Sequence, residues 1–218
     1  MARVFITGGT GYVGRRLVRA LLELGHDVRV LTRSASSGRV PAGAAAVVGD
    51  ALDASSFQAE LRAGDTLVHL VGTPHPSPSK AAEFRRVDLP SILASVAAAQ
   101  HAGAAHVVYV SVAQPAPVMH AYLAVRAEGE AALAASGLTA TVLRPWYVLG
   151  PGHWWPLVLV PLYAVARLVP ATRAGAERLG LVRLDQMVAA LVRAVEHPPA
   201  PGRLALVDVP GIRAAATR

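Results

Sequence analysis

An α/β fold, with a parallel sheet doubly wound by helices, is what this sequence predicts, and three observations predict it. Short apolar runs bounded by glycine or polar residues recur along the chain, at 3–7, 27–32, 45–48, 66–71, 106–111 and 139–143. Stretches with helical spacing of apolar residues separate them, and that alternation argues for parallel strands covered on both faces. The 218 residues are 53% hydrophobic and only 16% charged, which suits a single domain over 1–218.

Taken in order, residues 3–7 (RVFIT) are apolar up to a glycine pair and read as a buried strand. Over 11–24, Val13, Leu17, Ala20, Leu21 and Leu24 share one helical face, and Gly25 stands where a helix stops. Residues 27–32 (DVRVLT) and 45–48 give the second and third strands, the latter ending at Gly49-Asp50. A helix over 55–62 leads to a fourth strand, 66–71, closed by Gly72. Three prolines within 73–79 make that segment a loop. A long alanine-rich helix over 81–100, a strand over 106–111, a helix over 121–135 and a strand over 139–143 follow. The segment 146–184 reads as a small apolar C-terminal cap, and the tail after Asp208, with few apolar anchors, is expected to fray.

Composition removes several classes of chemistry. With no cysteine there is no disulfide, no cysteine nucleophile and no thiolate zinc site. The formal charge is +7, and Lys80 is the only lysine among 21 basic residues. The arginines form no stripe interleaved with aromatics, so nucleic acid is not an expected partner. No histidine pair has carboxylate company, so no metal is expected. The apolar run at 4–6 is too short for a secretory signal, which predicts a cytoplasmic protein. The stretch 154–169 (WWPLVLVPLYAVARLV) contains two prolines and an arginine and falls short of the ~20 apolar residues of a spanning helix. It reads as a pocket lining or a subunit contact in an oligomer, with rest on a membrane surface as the alternative.

Between the first strand and helix lie Thr7, Gly8, Gly9, Thr10, Gly11, Tyr12, Val13 and Gly14. Glycines at 8, 11 and 14 are a spacing variant of G-x-G-x-x-G, which demands a tight turn, close approach of backbone to a pyrophosphate and close helix–strand packing. The free N–H groups of the helix start favour the phosphates. After the second strand, where an acidic residue would bind the ribose of NAD, stands Thr32-Arg33-Ser34. Arg33 can pair with a 2′-phosphate, which favours NADP over NAD; a solvated surface arginine is the plain alternative.

Together these residues resemble the short-chain dehydrogenase/reductase superfamily, in its extended and atypical branches, and within it the NmrA-like and complex I accessory-subunit-like NAD(P)-binding proteins. Gly49-Asp50 resembles the acidic element at the adenine amino group. Leu70-Val71-Gly72 resembles the segment beside the adenine ribose, and Tyr109-Val110-Ser111 the strand end bearing the family serine. Arg144-Pro145-Trp146 with Gly150-Pro151-Gly152, and Val182-Arg183-Leu184-Asp185, resemble later family elements. The resemblance implies a Rossmann-type sheet in which Asp50, Ala51, Val71, Gly72, Thr73 and Pro145 join residues 7–14 as cofactor contacts.

It also implies hydride transfer with a tyrosine as general acid and a lysine four residues on. Tyr122 and Arg126 have that spacing, on one helical face, with arginine in the lysine's place. A tyrosine, with an ordinary pKa near ~10, needs a nearby cation to ionise at working pH. Arg126 supplies that charge but cannot release a proton. Ser111 either polarises a carbonyl or satisfies backbone groups; Val112 and Asp88 stand where the family often has a hydroxyl residue and an asparagine. His75, His120 and His153 are candidate substrate contacts or ordinary loop residues. Two functions follow: an NADP-dependent oxidoreductase acting on a small apolar carbonyl or quinone-type substrate held under Trp154, Trp155 and Leu157, or a non-catalytic dinucleotide-binding redox sensor or accessory subunit.

Overall fold

The computed structural model describes residues 1–217, apart from the side chains at 155, 159, 162, 163, 165, 167, 171 and 217. The chain opens with β1 (Arg3–Thr7), α1 (Gly14–Glu23), β2 (Asp27–Thr32), β3 (Ala45–Val48) and β4 (Thr66–His69). Next come α2 (Ala81–Glu83), a π-helical turn (Phe84–Asp88), α3 (Leu89–Ala102), β5 (His106–Val110), α4 (His120–Ala135) and β6 (Ala140–Leu143). The remainder is β7 (Tyr147–Leu149), α5 (Val160–Leu168), α6 (Pro170–Arg178), β8 (Leu181–Arg183), α7 (Leu184–Glu196), β9 (Leu204–Val207) and α8 (Val209–Ala214).

Seven strands form one sheet in the order β3-β2-β1-β4-β5-β6-β9, every pairing parallel. The Rossmann-type, doubly wound sheet expected from the sequence is therefore present. Alternation along each strand feeds a core on either face. Val4 and Ile6 pack with Leu17, Leu21, Met187 and Leu191 of α1 and α7, while Phe5 packs on the other face with the group containing Ile92, Val96 and Leu133 of α3 and α4. The order reverses between β1 and β4, so a crevice opens beyond their carboxyl ends, where ligands bind in such sheets.

Three expected elements differ. The helix over 55–62 is two short 3-10 turns, Ala54–Ser56 and Gln58–Glu60. Asp53 accepts bonds from the backbone and hydroxyl of Ser55, and Ser56 donates to the carbonyls of Asp50 and Asp53, so local side-chain bonds displace the helical ladder. The long helix over 81–100 passes through the π-helical turn just before Pro90, which has no N–H for the regular bonding pattern. The tail expected to fray is helical over 209–217. Asp208 caps α8 through the Gly211 N–H, and Val209 and Ile212 are buried in the core.

The parallel pair β7–β8 and the strand β9 lie outside the elements read from the sequence; they are short and their alternation is weak. Among the described residues no helix is long and apolar enough to cross a membrane.

Candidate active site

The glycine loop turns where the sequence places it, and its geometry excludes side chains. Gly8 has φ +77°, and a Cβ there would lie 2.8 Å from the Leu70 carbonyl carbon. At Gly14 a Cβ would lie 2.3 Å from the Gly8 carbonyl oxygen, and at Gly9 one would lie 2.7 Å from Val30. Backbone thus packs on backbone at the start of α1, leaving a smooth cradle beside free N–H groups. Thr7 is fully buried, its hydroxyl 2.9 Å from His69 Nδ1.

A cavity of about 480 Å³ extends from this loop and is lined by Gly8, Thr10, Gly11, Arg33, Asp50, Ala51, Val71 and Gly72. Arg33 and Asp50 are exposed at its rim. A dinucleotide fits this donor set: backbone N–H groups and a helix start for phosphate, a carboxylate and an arginine for the nucleoside end. A second cavity of about 200 Å³ shares Val71 and Gly72 with the first and adds Val13, Thr73, Ser111, Tyr122 and Arg126. A third, about 440 Å³, shares Tyr122 with the second and is lined also by Tyr12, His75, Val112, Trp146, Tyr147 and His153. Tyr122 therefore borders both the slot that continues the dinucleotide cavity and the chamber next to it. Pro145 lines none of these three; its carbonyl accepts from the Ala113 N–H.

Arg126 is buried and held from several sides. It donates to Asp88 at 2.7 Å, to the Val110 carbonyl at 3.1 Å and to the Tyr109 hydroxyl at 3.4 Å. Its guanidinium carbon lies 5.0 Å from the centre of the Tyr122 ring. Gly72 makes room for it, since a Cβ there would lie 2.3 Å from Arg126 Nη2. Burial alone would lower the pKa of Arg126, but Tyr122, Tyr109 and Asp88 more than offset this, so the group is held charged. Asp88, fully buried, also accepts from the Thr73 N–H and hydroxyl at 3.0 and 2.6 Å.

A second buried carboxylate, Glu130, accepts from the Ser111 hydroxyl at 2.5 Å, from Gln114 and from two nitrogens of Arg144. The single hydroxyl proton of Ser111 is thereby directed away from the cavities. Glu130 went unread in the sequence; its position four residues after Arg126, on the same helical face, is the signal that could have found it. Behind the loop, His69 is pushed down to about 3 by burial and by the charge of Arg126; at the amino end of β5, His106 is pushed down to about 4 by burial, so both stay neutral.

The remaining candidates scatter. Trp154 and Leu157 do not line the 440 Å³ chamber; Trp146, Tyr147 and Val148 form its apolar wall, because the chain turns at Gly150–His153 and Trp154 faces a separate 860 Å³ cavity between α1 and α7. The side chain of Trp155 lies outside the described residues. Arg16 lies over the ring of Tyr12 and donates to the Tyr12 carbonyl in the glycine loop, and His120 is exposed. Lys80 donates to the Pro74 carbonyl. Among the described residues no group of three or more histidines and carboxylates could hold a metal ion.

A family model described as NAD(P)H-binding matches residues 8–150. The chain is 30% identical over 213 residues to a ceramide reductase of Caulobacter vibrioides (strain NA1000 / CB15N), a match covering 94% of this chain and 64% of the relative. It is 30% identical over 221 residues to a 3-diazoavenalumate denitrifying reductase of a Streptomyces species, covering 89% and 72%. Among solved structures, a UDP-galactose 4-epimerase aligns with a TM-score of 0.69 at 23% identity, over 94% of this chain and 76% of that one. A short-chain dehydrogenase/reductase superfamily protein from Agrobacterium tumefaciens with bound NAD aligns with a TM-score of 0.67 at 19% identity, over 94% and 76%. These two structures share the fold.

Proposed function

We propose, on the premise that this chain belongs to the NAD(P)H-binding family within the short-chain dehydrogenase/reductase superfamily, that it is an NADP-dependent reductase of a small apolar carbonyl or quinone-type substrate. The observation that carries this reading is the place of Tyr122, which borders both the slot continuing the dinucleotide cavity and the 440 Å³ chamber. The two curated relatives named above, both reductases by name, support the same class of reaction.

Bound nicotinamide dinucleotide supplies the hydride. The chain's own residues do the rest. The loop backbone and the start of α1 hold the pyrophosphate, Asp50 meets the adenine end, and Arg33 pairs with the 2′-phosphate, which favours NADPH over NADH. Tyr122 donates the proton to the substrate, and Arg126, stacked on its ring and fixed by Asp88, orients it and stabilises the phenolate left behind. Because Arg126 cannot pass a proton on, Tyr122 regains its own from the chamber side. From the segment 146–184, Trp146, Tyr147, Val148, His153 and Pro156 wall that chamber.

Titration with NADPH and NADH, followed by NADPH oxidation over a carbonyl and quinone panel, tests the reading. Tyr122→Phe is expected to lower turnover at least about 100-fold with NADPH affinity unchanged. Unchanged turnover in this variant overturns the assignment. The locked Asp88–Arg126 pair favours a second reading, dinucleotide binding without turnover; tight NADPH binding with no oxidation of NADPH by the native protein on any panel member would select it.

A further inference from the structure

We infer that the 440 Å³ chamber beside Tyr122 is built for a flat conjugated ring, a quinone or aryl enone, in preference to an aliphatic carbonyl of the same size. This rests on the reductase reading above and narrows its substrate.

The first observation is where the aromatic side chains go. The chain is poor in them, with three Phe, three Trp and five Tyr. All three phenylalanines, Phe5, Phe57 and Phe84, are buried in the core. Three of the five tyrosines and Trp146 line this one chamber, joined by two of the eight histidines. The phenylalanines and Tyr109 thus sit in the interior, while Tyr12, Tyr122, Tyr147 and Trp146, rings with a polar edge, gather around the cavity. Such rings offer flat faces for stacking and hydrogen bonds at their rims.

The second observation is how these rings are held. His75 and His153 stack with centroids 5.3 Å apart and planes 10° from parallel, and Tyr12 packs against His153 at 4.4 Å. Trp146 and Tyr147 meet edge to face at 5.4 Å. His75 has φ +49°, a conformation that costs a non-glycine residue energy and that places its ring on His153. His153 Nδ1 and the Tyr12 hydroxyl are both buried without a hydrogen-bond partner among the described residues.

The third observation concerns the reacting end. Tyr122 offers one proton there, Val112 presents methyl groups, and the Ser111 proton is committed to Glu130. An aliphatic ketone gathers the developing negative charge on one oxygen, where each further donor speeds the reaction strongly. A quinone or aryl enone spreads that charge over its conjugated system, so a single donor suffices.

The test is isothermal titration of the full chain, with and without saturating NADP+, against 1,4-naphthoquinone and decahydronaphthalene-1,4-dione. These share a carbon skeleton and both carbonyls and differ in planarity. With no thiol and one lysine, the protein gives the quinone little to arylate, so binding is read as reversible. The planar ligand is expected to bind at least about tenfold more tightly. The ratio should fall toward one in Tyr147→Leu and, independently, in His75→Ala, whose site is exposed and does not test folding. Equal affinities in the native protein, no detectable naphthoquinone binding, or a ratio that neither variant moves overturns the inference. NADP+ titrated in the same experiment separates the two failures: intact cofactor binding with no planar preference sinks only the ring specificity, whereas absent NADP+ and NADPH binding sinks the reductase reading itself.

Discussion

The dinucleotide end of the site and its tyrosine end are built by opposite means. At the first, backbone meets backbone: Gly8, Gly9 and Gly14 leave no space for a Cβ, and the charged side chains, Arg33 and Asp50, stand exposed at the rim. At the second, charges are paired under cover, Asp88 with Arg126 almost wholly buried and Glu130 with a partly exposed Arg144. A backbone cradle tolerates a change at its rim and none at its floor. A buried pair tolerates the loss of neither member, because the partner is left charged in a place water does not reach.

That contrast is broken most directly at Asp88. Replacing it by leucine removes the anion from a pair in which both side chains are almost wholly buried. Asp88→Leu is expected to lower stability by about 3–5 kcal/mol in urea denaturation, and adding Arg126→Met to cost much less than a second loss of that size. A single-variant loss below about 1 kcal/mol would mean that water reaches the guanidinium and that the pair is not buried in the sense used here.

The cradle's floor is tested at Gly14, where an added methyl would overlap the Gly8 carbonyl oxygen. Gly14→Ala is expected to weaken NADPH binding at least about 100-fold, since the pyrophosphate contacts depend on the loop's shape. Stability should fall less than in Asp88→Leu. Fluorescence titration and a urea melt on the same sample give both quantities.

The two ends also differ in how far the sequence revealed them. The cradle is local: eight consecutive residues specify it, and glycine spacing after a short apolar strand is enough to place it. The pairing Tyr122–Arg126 was equally legible, being one helical turn. The anion that holds Arg126 was not, because Asp88 lies 38 residues away and meets it only once α4 packs on the π-helical turn and α3. Ser111 shows the same limit. Its position at the end of β5 was readable, but the direction of its one proton depends on Glu130, brought within reach by tertiary packing. In the fold, β9 and α8 escaped for a related reason: Leu204–Val207 is short, and only pairing with β6 makes it a strand.

Two buried neutral histidines, His69 behind the glycine loop and His106 at the amino end of β5, set a pH dependence. His69 and His106 have folded values of about 3 and about 4, against an unfolded value near 6.5. Below about 6.5 the unfolded chain takes up protons that the folded chain refuses, so stability is fully present above that pH and falls as pH drops toward the folded values. The loss is roughly 2 kcal/mol for each histidine between pH 6.5 and 5. Urea melts at pH 7.5 and 5 measure it, and His69→Gln should remove its own share of the slope.

The smallest effect belongs to the exposed rim. Among the described residues no ion-pair partner of Arg33 would be stranded, and in the proposed reading it makes one charge-assisted contact to a 2′-phosphate in competition with water. Arg33→Ala is expected to weaken NADPH about five- to tenfold, leave NADH unchanged and shift stability by no more than about 0.5 kcal/mol. The ratio of the two affinities, measured at fixed ionic strength, is the decisive quantity, because salt screens a rim contact more than the cradle's sheltered backbone contacts. If NADH binds the native protein more tightly than NADPH, Arg33 does not read the phosphate. The choice of cofactor would then lie at Asp50 and the exposed turn that follows it, and the rim would be as indifferent to the 2′ position as the floor is.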